Sequence, residues 1–434
     1  MEDYLLFFVL ITAFLSLLGW VRYKNIINPI TLFCGLWTII LFAYSLHIFG
    51  LYYASDSVLW SIVIGTIMFY LGGTFRSRIK SKRTPSAANA TIENDAMVED
   101  VPNYSFMVVV NFISIAILLG YATVTLRMLL SGISYEYIHV MYQSEEGIVG
   151  ALKSGIRLWH YFIWPWNLAT IPMVVACFML DKTERKDRRV FLVTSIINIG
   201  LYILISGARV SLAYFAFYFV VVALLLRRKI KLTMWQRTLI VAIAIGAWIV
   251  FDSLSESRNS ASLENTAYTY LCGCVPYFSY KLDMFKIQDS VYGYGLYTLS
   301  GVLKPFFAIF GKIFGASDLW TRVLSNLETQ GRTYIAPHNP FNAFTSLFYF
   351  FYMDGGVIAV SVICFIYGWF SVGMYNRFLR EKSYKNLVWY LLTAFGLGFS
   401  MVRFHFITIR YILSFVYTAL CFIQISFSLK SRRI

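Results

Sequence analysis

The feature that most narrows what this chain can fold into is a succession of long apolar runs, each closed by a short cluster of Lys and Arg. A hydrocarbon core of about 30 Å needs about 20 apolar residues in helical form. Runs near that length occupy 4–20, 30–50, 58–75, 104–126, 158–180, 190–205, 210–226, 238–251, 357–375, 387–402 and 411–429. The pattern predicts an all-α, polytopic membrane helix bundle of about eleven transmembrane helices. Composition agrees: 59% hydrophobic and 14% charged residues in a chain of 434 are outside the range of ordinary soluble domains.

The net charge of +15 would suggest nucleic acid in a soluble domain. Here most of the 37 Lys and Arg lie in clusters between apolar runs: Arg22–Lys24, Arg76–Arg83, Lys182–Arg189, Arg227–Arg237, Arg377–Lys385 and Lys430–Arg433. These fall in alternate connections, as expected of cytoplasmic loops near anionic lipid, and no nucleic-acid partner is expected. The rule places the N-terminus outside and the C-terminus in the cytoplasm. The first run follows Glu2 and Asp3 with no basic flank, so it reads as a retained helix rather than a cleaved signal. Of six cysteines, Cys34, Cys177, Cys364 and Cys421 sit in apolar runs and behave as small hydrophobes. Cys272 and Cys274 are too close for an unstrained bridge and lack metal-type spacing.

The chain divides on this reading into an N-terminal membrane bundle of eight spans (1–252), an extracytoplasmic loop with short re-entrant or interfacial helices (253–356), and a C-terminal segment of three spans (357–434). The loop mixes Arg258, Lys281, Lys286, Lys304, Lys312, Arg322 and Arg332 with Tyr, Phe and Leu throughout. That mixture suggests a folded cap with its own apolar core, presenting cations and hydrogen-bonding groups. Residues 341–352 are apolar but too short to cross and suit a re-entrant or interfacial helix. Pro165 and Pro172 would bend the fifth span or free backbone carbonyls.

Cations on the outer side are the candidate binding groups. Arg209 ends the tight turn Ser206-Gly207-Ala208-Arg209, and the helix that follows points its N-terminus the same way, a setting that attracts anions. Arg403 and Arg410 flank His405 among aromatics. If the stretch is helical the two arginines share a face, and guanidinium groups suit phosphate oxygens. Arg258 follows the eighth run closely. For all of these the alternative is anchoring to lipid phosphate or the interface. His338, before Asn339, could take a proton from an attacking hydroxyl, or be structural. Tyr292 and Tyr294 in Tyr292-Gly293-Tyr294-Gly295 offer rings beside a turn on which a sugar could stack. No paired carboxylates, metal cluster or nucleophile elbow stands out, so neither a metal nor a cofactor is expected.

The order of several features resembles the O-antigen and capsular polysaccharide repeat-unit polymerases, the Wzy family. They are Asn28-Pro29 with Trp37, the Ser-Gly-x-Arg turn ending in Arg209, a large loop with Gly295 and Lys304-Pro305, and His338-Asn339 ahead of Asp354-Gly355-Gly356. The resemblance implies a metal-independent glycosyltransferase that moves a glycan from undecaprenyl diphosphate to the sugar hydroxyl of a lipid-linked repeat unit. Arg209, Arg403 and Arg410 would neutralise the leaving diphosphate, Arg258 orient it, and His338 act as base. Its partners would be undecaprenyl-diphosphate-linked glycans, membrane lipids, a chain-length regulator and a flippase. An O-antigen ligase shares this logic. A transporter or flippase is expected to show more intramembrane polar residues and half-helix symmetry than the sequence displays.

Overall fold

The structure, a computed structural model, describes residues 2–81, 102–143, 155–180, 186–207, 210–226, 263–287, 290–314, 317–328, 333–337, 339–341 and 345–423. It is an all-α membrane bundle with one small hairpin. The helices are α1 (Glu2–Tyr23), α2 (Pro29–Ser45), α3 (Asp56–Ser81), α4 (Tyr104–Leu130), α5 (Tyr135–Gln143), α6 (Gly155–Leu158), α7 (Trp164–Leu180), α8 (Lys186–Ser206) and α9 (Val210–Leu226). After these come α10 (Leu263–Cys272), α11 (Cys274–Ile287), α12 (Ser300–Phe314), α13 (Asp318–Glu328), the strands β1 (Thr333–Ala336) and β2 (Asn339–Phe341), α14 (Ser346–Glu381), α15 (Tyr384–Gly398) and α16 (Ile409–Cys421).

Among the described residues, 6 helices are long and apolar enough to cross a membrane: Tyr4–Tyr23, Asp56–Ser77, Tyr104–Leu130, Ile156–Met179, Lys186–Ser206 and Ser346–Glu381. Three of the other apolar runs form shorter helices, Pro29–Ser45, Ser211–Leu225 and Ile409–Cys421. The run at 387–402 is interrupted because α15 ends at Gly398. The run at 238–251 lies outside the described residues. The apolar stretch 341–352 does not form one short helix. Phe341 belongs to β2, and α14 begins at Ser346.

The chain forms two compact units, each discontinuous in sequence. The first takes Met1–Asp95, Ala216–Arg380 and Tyr390–Ile412. Its α1 and α2 are tied by a reciprocal pair, Ser16 Oγ to the Thr31 carbonyl at 3.3 Å and Thr31 Oγ1 to the Ser16 carbonyl at 3.2 Å. The Asn28-Pro29 pair is a helix start: Asn28 accepts the Thr31 amide at 3.0 Å while proline takes the first helical position, where its missing N–H costs nothing. α3 and α14 approach closely through two glycines. A Cβ on Gly72 would stand 1.9 Å from the Phe365 carbonyl oxygen, and one on Gly368 would stand 2.1 Å from that of Phe69. Small residues are what let membrane helices come this near.

Segment 263–341 folds over the same core as a cap. Cys272, Cys274, Tyr277, Phe278, Tyr297, Trp320, Ile335 and Phe341 are buried in one apolar cluster with Phe33, Trp37, Phe348 and Phe351. The Tyr52 amide donates to the Ile335 carbonyl at 2.8 Å, fastening the connection between α2 and α3 to β1. Lys281 is 9% exposed against the Tyr277 ring, and burial holds its amine below the ordinary lysine range.

The second unit takes Ala96–Phe215, Glu381–Trp389 and Leu413–Ile434. A π-helical turn, Trp159–Ile163, joins α6 to α7 just ahead of Pro165. Proline cannot donate into the preceding turn, and the Tyr161 carbonyl accepts the Tyr417 hydroxyl at 2.7 Å instead. Inside this unit Asn111 donates to Ser195 Oγ at 2.8 Å and accepts the Trp166 indole N–H at 2.9 Å. Ser114 donates to Asn198 Oδ1 at 2.7 Å, and Asn167 to the Ile163 carbonyl at 2.8 Å. The spans therefore carry more interior polar side chains than the apolar runs suggested. They bond one another across α4, α7 and α8, which is the pattern of interhelical glue rather than of a wet pathway.

Candidate functional site

Three stretches far apart in sequence meet in the first unit, and the break in α14 organises them. Gly355 (φ 166°, ψ 39°) and Gly356 (φ 63°, ψ −151°) leave helical geometry, so the carbonyls just before them lose their usual partners. The cap supplies replacements: the Gly293 amide donates to the Met353 carbonyl at 2.9 Å and the Tyr294 amide to that of Asp354 at 2.9 Å. The Asp354 side chain, 3% exposed, accepts the amides of Gly295 at 2.8 Å and Tyr297 at 3.0 Å on one oxygen. Its other oxygen accepts the Thr298 amide at 2.8 Å and the Thr298 hydroxyl. With its lone pairs taken by these donors, the carboxylate is a clasp rather than a general base.

The clasp explains the glycines of the turn. Gly295 has φ +99°, and a Cβ on Gly293 would lie 2.4 Å from the Tyr297 ring and 2.8 Å from Asp354 Oδ1. Tyr294 also adopts positive φ (51°), and its ring is 77% exposed; that of Tyr292 is 39% exposed. Tyr294 thus stands on the outside of a turn whose inside is pinned, while Tyr292, partly exposed, packs its ring near Phe285 and its hydroxyl end at Gly356.

The turn leads into α12, whose first residues touch the third stretch. Ser300 Oγ, which donates to the Tyr297 carbonyl at 2.7 Å, also lies 3.2 Å from the Ile407 carbonyl, and a Cβ on Gly301 would come within 2.3 Å of the Phe406 carbonyl oxygen. Residues 403–410 are not one helix, so Arg403 and Arg410 do not share a helical face. Phe404 and Thr408 are extended on either side of the short helix His405–Ile407, and the Thr408 hydroxyl and amide both bond the His405 carbonyl. Arg403 is half-buried, while Arg410, in the first turn of α16, is 8% exposed; both are engaged by neighbouring groups. His405 packs between Phe395 and Tyr411 at 4.8 and 5.4 Å between ring centroids. Burial, reinforced by the Arg403 charge and opposed by a bond with the Phe399 backbone, pushes its pKa down to about 3. At neutral pH it contributes an uncharged ring, and its buried Nε2 has no hydrogen-bond partner.

Asn339 opens β2, paired with Ala336 in the hairpin. Arg209, Arg258 and His338 lie outside the described residues. The turn that precedes Arg209 is held in the second unit, where the Ser206 carbonyl is 2.7 Å from His139 Nδ1 and Gly207 has φ +64°. Asp354 is the site residue that sequence reasoning missed. A lone acid before two glycines, next to an apolar run, was the available signal. Among the described residues no three His, Cys, Asp or Glu side chains gather to hold a metal ion.

Fold and site define a class: an all-α, polytopic membrane protein whose cap is clasped into a broken membrane helix. Compared with known protein families, characterised proteins and solved structures, the chain matches none of them.

Proposed function

We propose that the protein is a membrane glycosyltransferase that polymerises undecaprenyl-diphosphate-linked oligosaccharide repeat units into O-antigen or capsular polysaccharide. The reaction runs on the outer face of the bacterial cytoplasmic membrane, with the N-terminus outside and the C-terminus in the cytoplasm. The observation that carries this reading is the clasped turn. Exposed tyrosines fit for stacking on sugars lie on a segment that runs directly into contact with the loop bearing Arg403 and Arg410. In the reaction an acceptor hydroxyl attacks the anomeric carbon, its proton passing to His338, and the bond from that carbon to the diphosphate oxygen breaks. Guanidinium groups of Arg403 and Arg410, with Arg258, stabilise charge building on the departing diphosphate. Asn339 contributes a hydrogen-bonding group to the glycan, while His405, packed between Phe395 and Tyr411, supports the loop that carries Arg403 and Arg410. Flippase and chain-length regulator are the expected partners.

The test is the glycan that accumulates when the gene is deleted. Single repeat units left on the lipid carrier at the outer face support polymerisation. Finished polymer left unattached to its final acceptor would assign ligation instead, and units trapped on the cytoplasmic face would assign transport.

A further inference from the structure

Two amphipathic helices of the cap treat their outer faces in opposite ways. In α13, Trp320 and Val323 are buried, while Asp318, Thr321, Arg322 and Ser325 are exposed, as on any helix that faces water. In α12 the inner side is likewise apolar, with Phe307 stacked on Trp320 at 4.6 Å. Its outer side, however, carries Val302 (55% exposed), Phe306 (50%) and Phe310 (40%), preceded by Leu299 (54%). Steps of three and four residues put these on one stripe. Phe306 and Phe310 stack on each other at 4.4 Å, so the stripe is a continuous apolar surface rather than scattered contacts.

The place of α12 in the fold says what covers that surface. Its N-terminus packs on residues 406–407, between the ends of the apolar helices α15 and α16. The turn just ahead of it is bonded to Met353 and Asp354. A few residues further along α14 begins a stripe of exposed apolar side chains, Ile358 (78%), Val362 (51%) and Ile366 (56%), on a helix long enough to span the bilayer. The exposed apolar face of α12 therefore starts at the level where the exposed apolar stripe of α14 starts. We infer that α12 is an interfacial helix that inserts Leu299, Val302, Phe306 and Phe310 into the acyl chains of the leaflet on the cap's side, anchoring the cap to the lipid surface.

The inference goes beyond the proposed reaction, and its test does not use activity. Single cysteines replace Val302, Phe306 and Phe310 in turn, with Thr321→Cys and Ser325→Cys on α13 as water-facing references; the native cysteines are buried. The full-length protein is spin-labelled and reconstituted in vesicles of phosphatidylethanolamine and phosphatidylglycerol, and collision with oxygen and with a water-soluble nickel chelate is measured. Labels at 302, 306 and 310 are expected to collide more with oxygen than with nickel, and those at 321 and 325 the reverse. Nickel collision at 306 and 310 equal to that at 325 would overturn the inference, leaving the face in water. Shielding of 306 and 310 from both reagents would also overturn it, assigning the face to a second copy or another protein. Three separate positions keep the test valid if one variant fails to fold.

Discussion

Thr298 places both its amide and its hydroxyl on a single carboxylate oxygen of Asp354, the amide at 2.8 Å. A turn of the cap and a break in a membrane helix are thereby one structural element. Asp354→Ala removes the acceptor for the amides of Gly295, Tyr297 and Thr298, and buried donors left unmade cost about 1–3 kcal/mol each. A loss of about 3 kcal/mol or more is expected, read as a lower thermal midpoint in detergent. Asp354→Asn keeps one acceptor oxygen and should lose less. Thr298→Val gives up only the hydroxyl bond and should cost about 1 kcal/mol.

Both halves of this clasp are visible in the sequence as glycine-bearing motifs, Tyr292-Gly293-Tyr294-Gly295 and Asp354-Gly355-Gly356. Their pairing is not. Apolar periodicity reports which face of a helix is buried, and it made the bundle legible. The sequence suggests a cap with its own apolar core, whereas Tyr277 and Phe278 share one cluster with Trp37 and Phe348 of the membrane helices. A carboxylate that bonds backbone amides across 59 positions leaves no period behind. The same limit applies to 403–410, where the charges are plain in the sequence but Thr408, bonding back to His405, decides that they do not lie on one helix. The polar glue of Asn111, Asn167 and Asn198 was hidden for a third reason. Single amides inside long apolar runs barely change the average hydropathy.

The crossing of α3 and α14 should be intolerant of a single methyl. With backbone oxygens 1.9 and 2.1 Å from the added Cβ positions, Gly72→Ala and Gly368→Ala force the helices apart, a cost of about 1–3 kcal/mol or more. Gly120, in α4, has nothing within 4 Å of the same position. Gly120→Ala should be neutral or stabilise by roughly 0.5–1 kcal/mol through helix propensity alone. Folded yield and thermal midpoint of the three variants in one detergent check the order.

Acid should weaken the first unit through His405. Its folded pKa of about 3 lies below the ordinary value of 6.5, so above pH 6.5 both folded and unfolded chains hold it neutral and stability is complete. As pH falls from 6.5 towards 3 the unfolded chain binds the proton and the folded one resists, and stability declines by up to about 1.4 kcal/mol per pH unit. Below 3 the loss levels off. His405→Gln is expected to flatten this part of the curve of thermal midpoint against pH, while leaving carboxylate-driven losses in place.

Asn111 should behave as glue in the second unit. Asn111→Leu deprives the Trp166 indole N–H of its acceptor and the Thr194 and Ser195 hydroxyl oxygens of their donor in an apolar interior. Interhelical hydrogen bonds in membranes are worth roughly 0.6–2 kcal/mol, so a loss of about 2–4 kcal/mol is expected for the three. Trp166→Phe removes one of these bonds and should recover part of the deficit when combined with Asn111→Leu, a coupling that a double-mutant cycle measures.

Tyr294 and Arg403 should fail in different ways if the site polymerises glycans. The Tyr294 ring is 77% exposed and supports little of the fold, so Tyr294→Ala should leave the thermal midpoint unchanged. Removing a stacking face worth about 0.5–1.5 kcal/mol raises KM for the lipid-linked acceptor by roughly tenfold at most, with kcat kept, because stacking holds ground and transition states alike. On that reading Arg403 meets the additional negative charge that builds on the diphosphate as it leaves. Arg403→Ala should lower kcat by roughly a hundredfold, and Arg403→Lys, which keeps the charge but not the planar fork, should fall between. Initial rates with a purified lipid-linked repeat unit in vesicles separate the two parameters. A pure KM effect at Arg403 would move that residue from the leaving group to lipid or glycan anchoring.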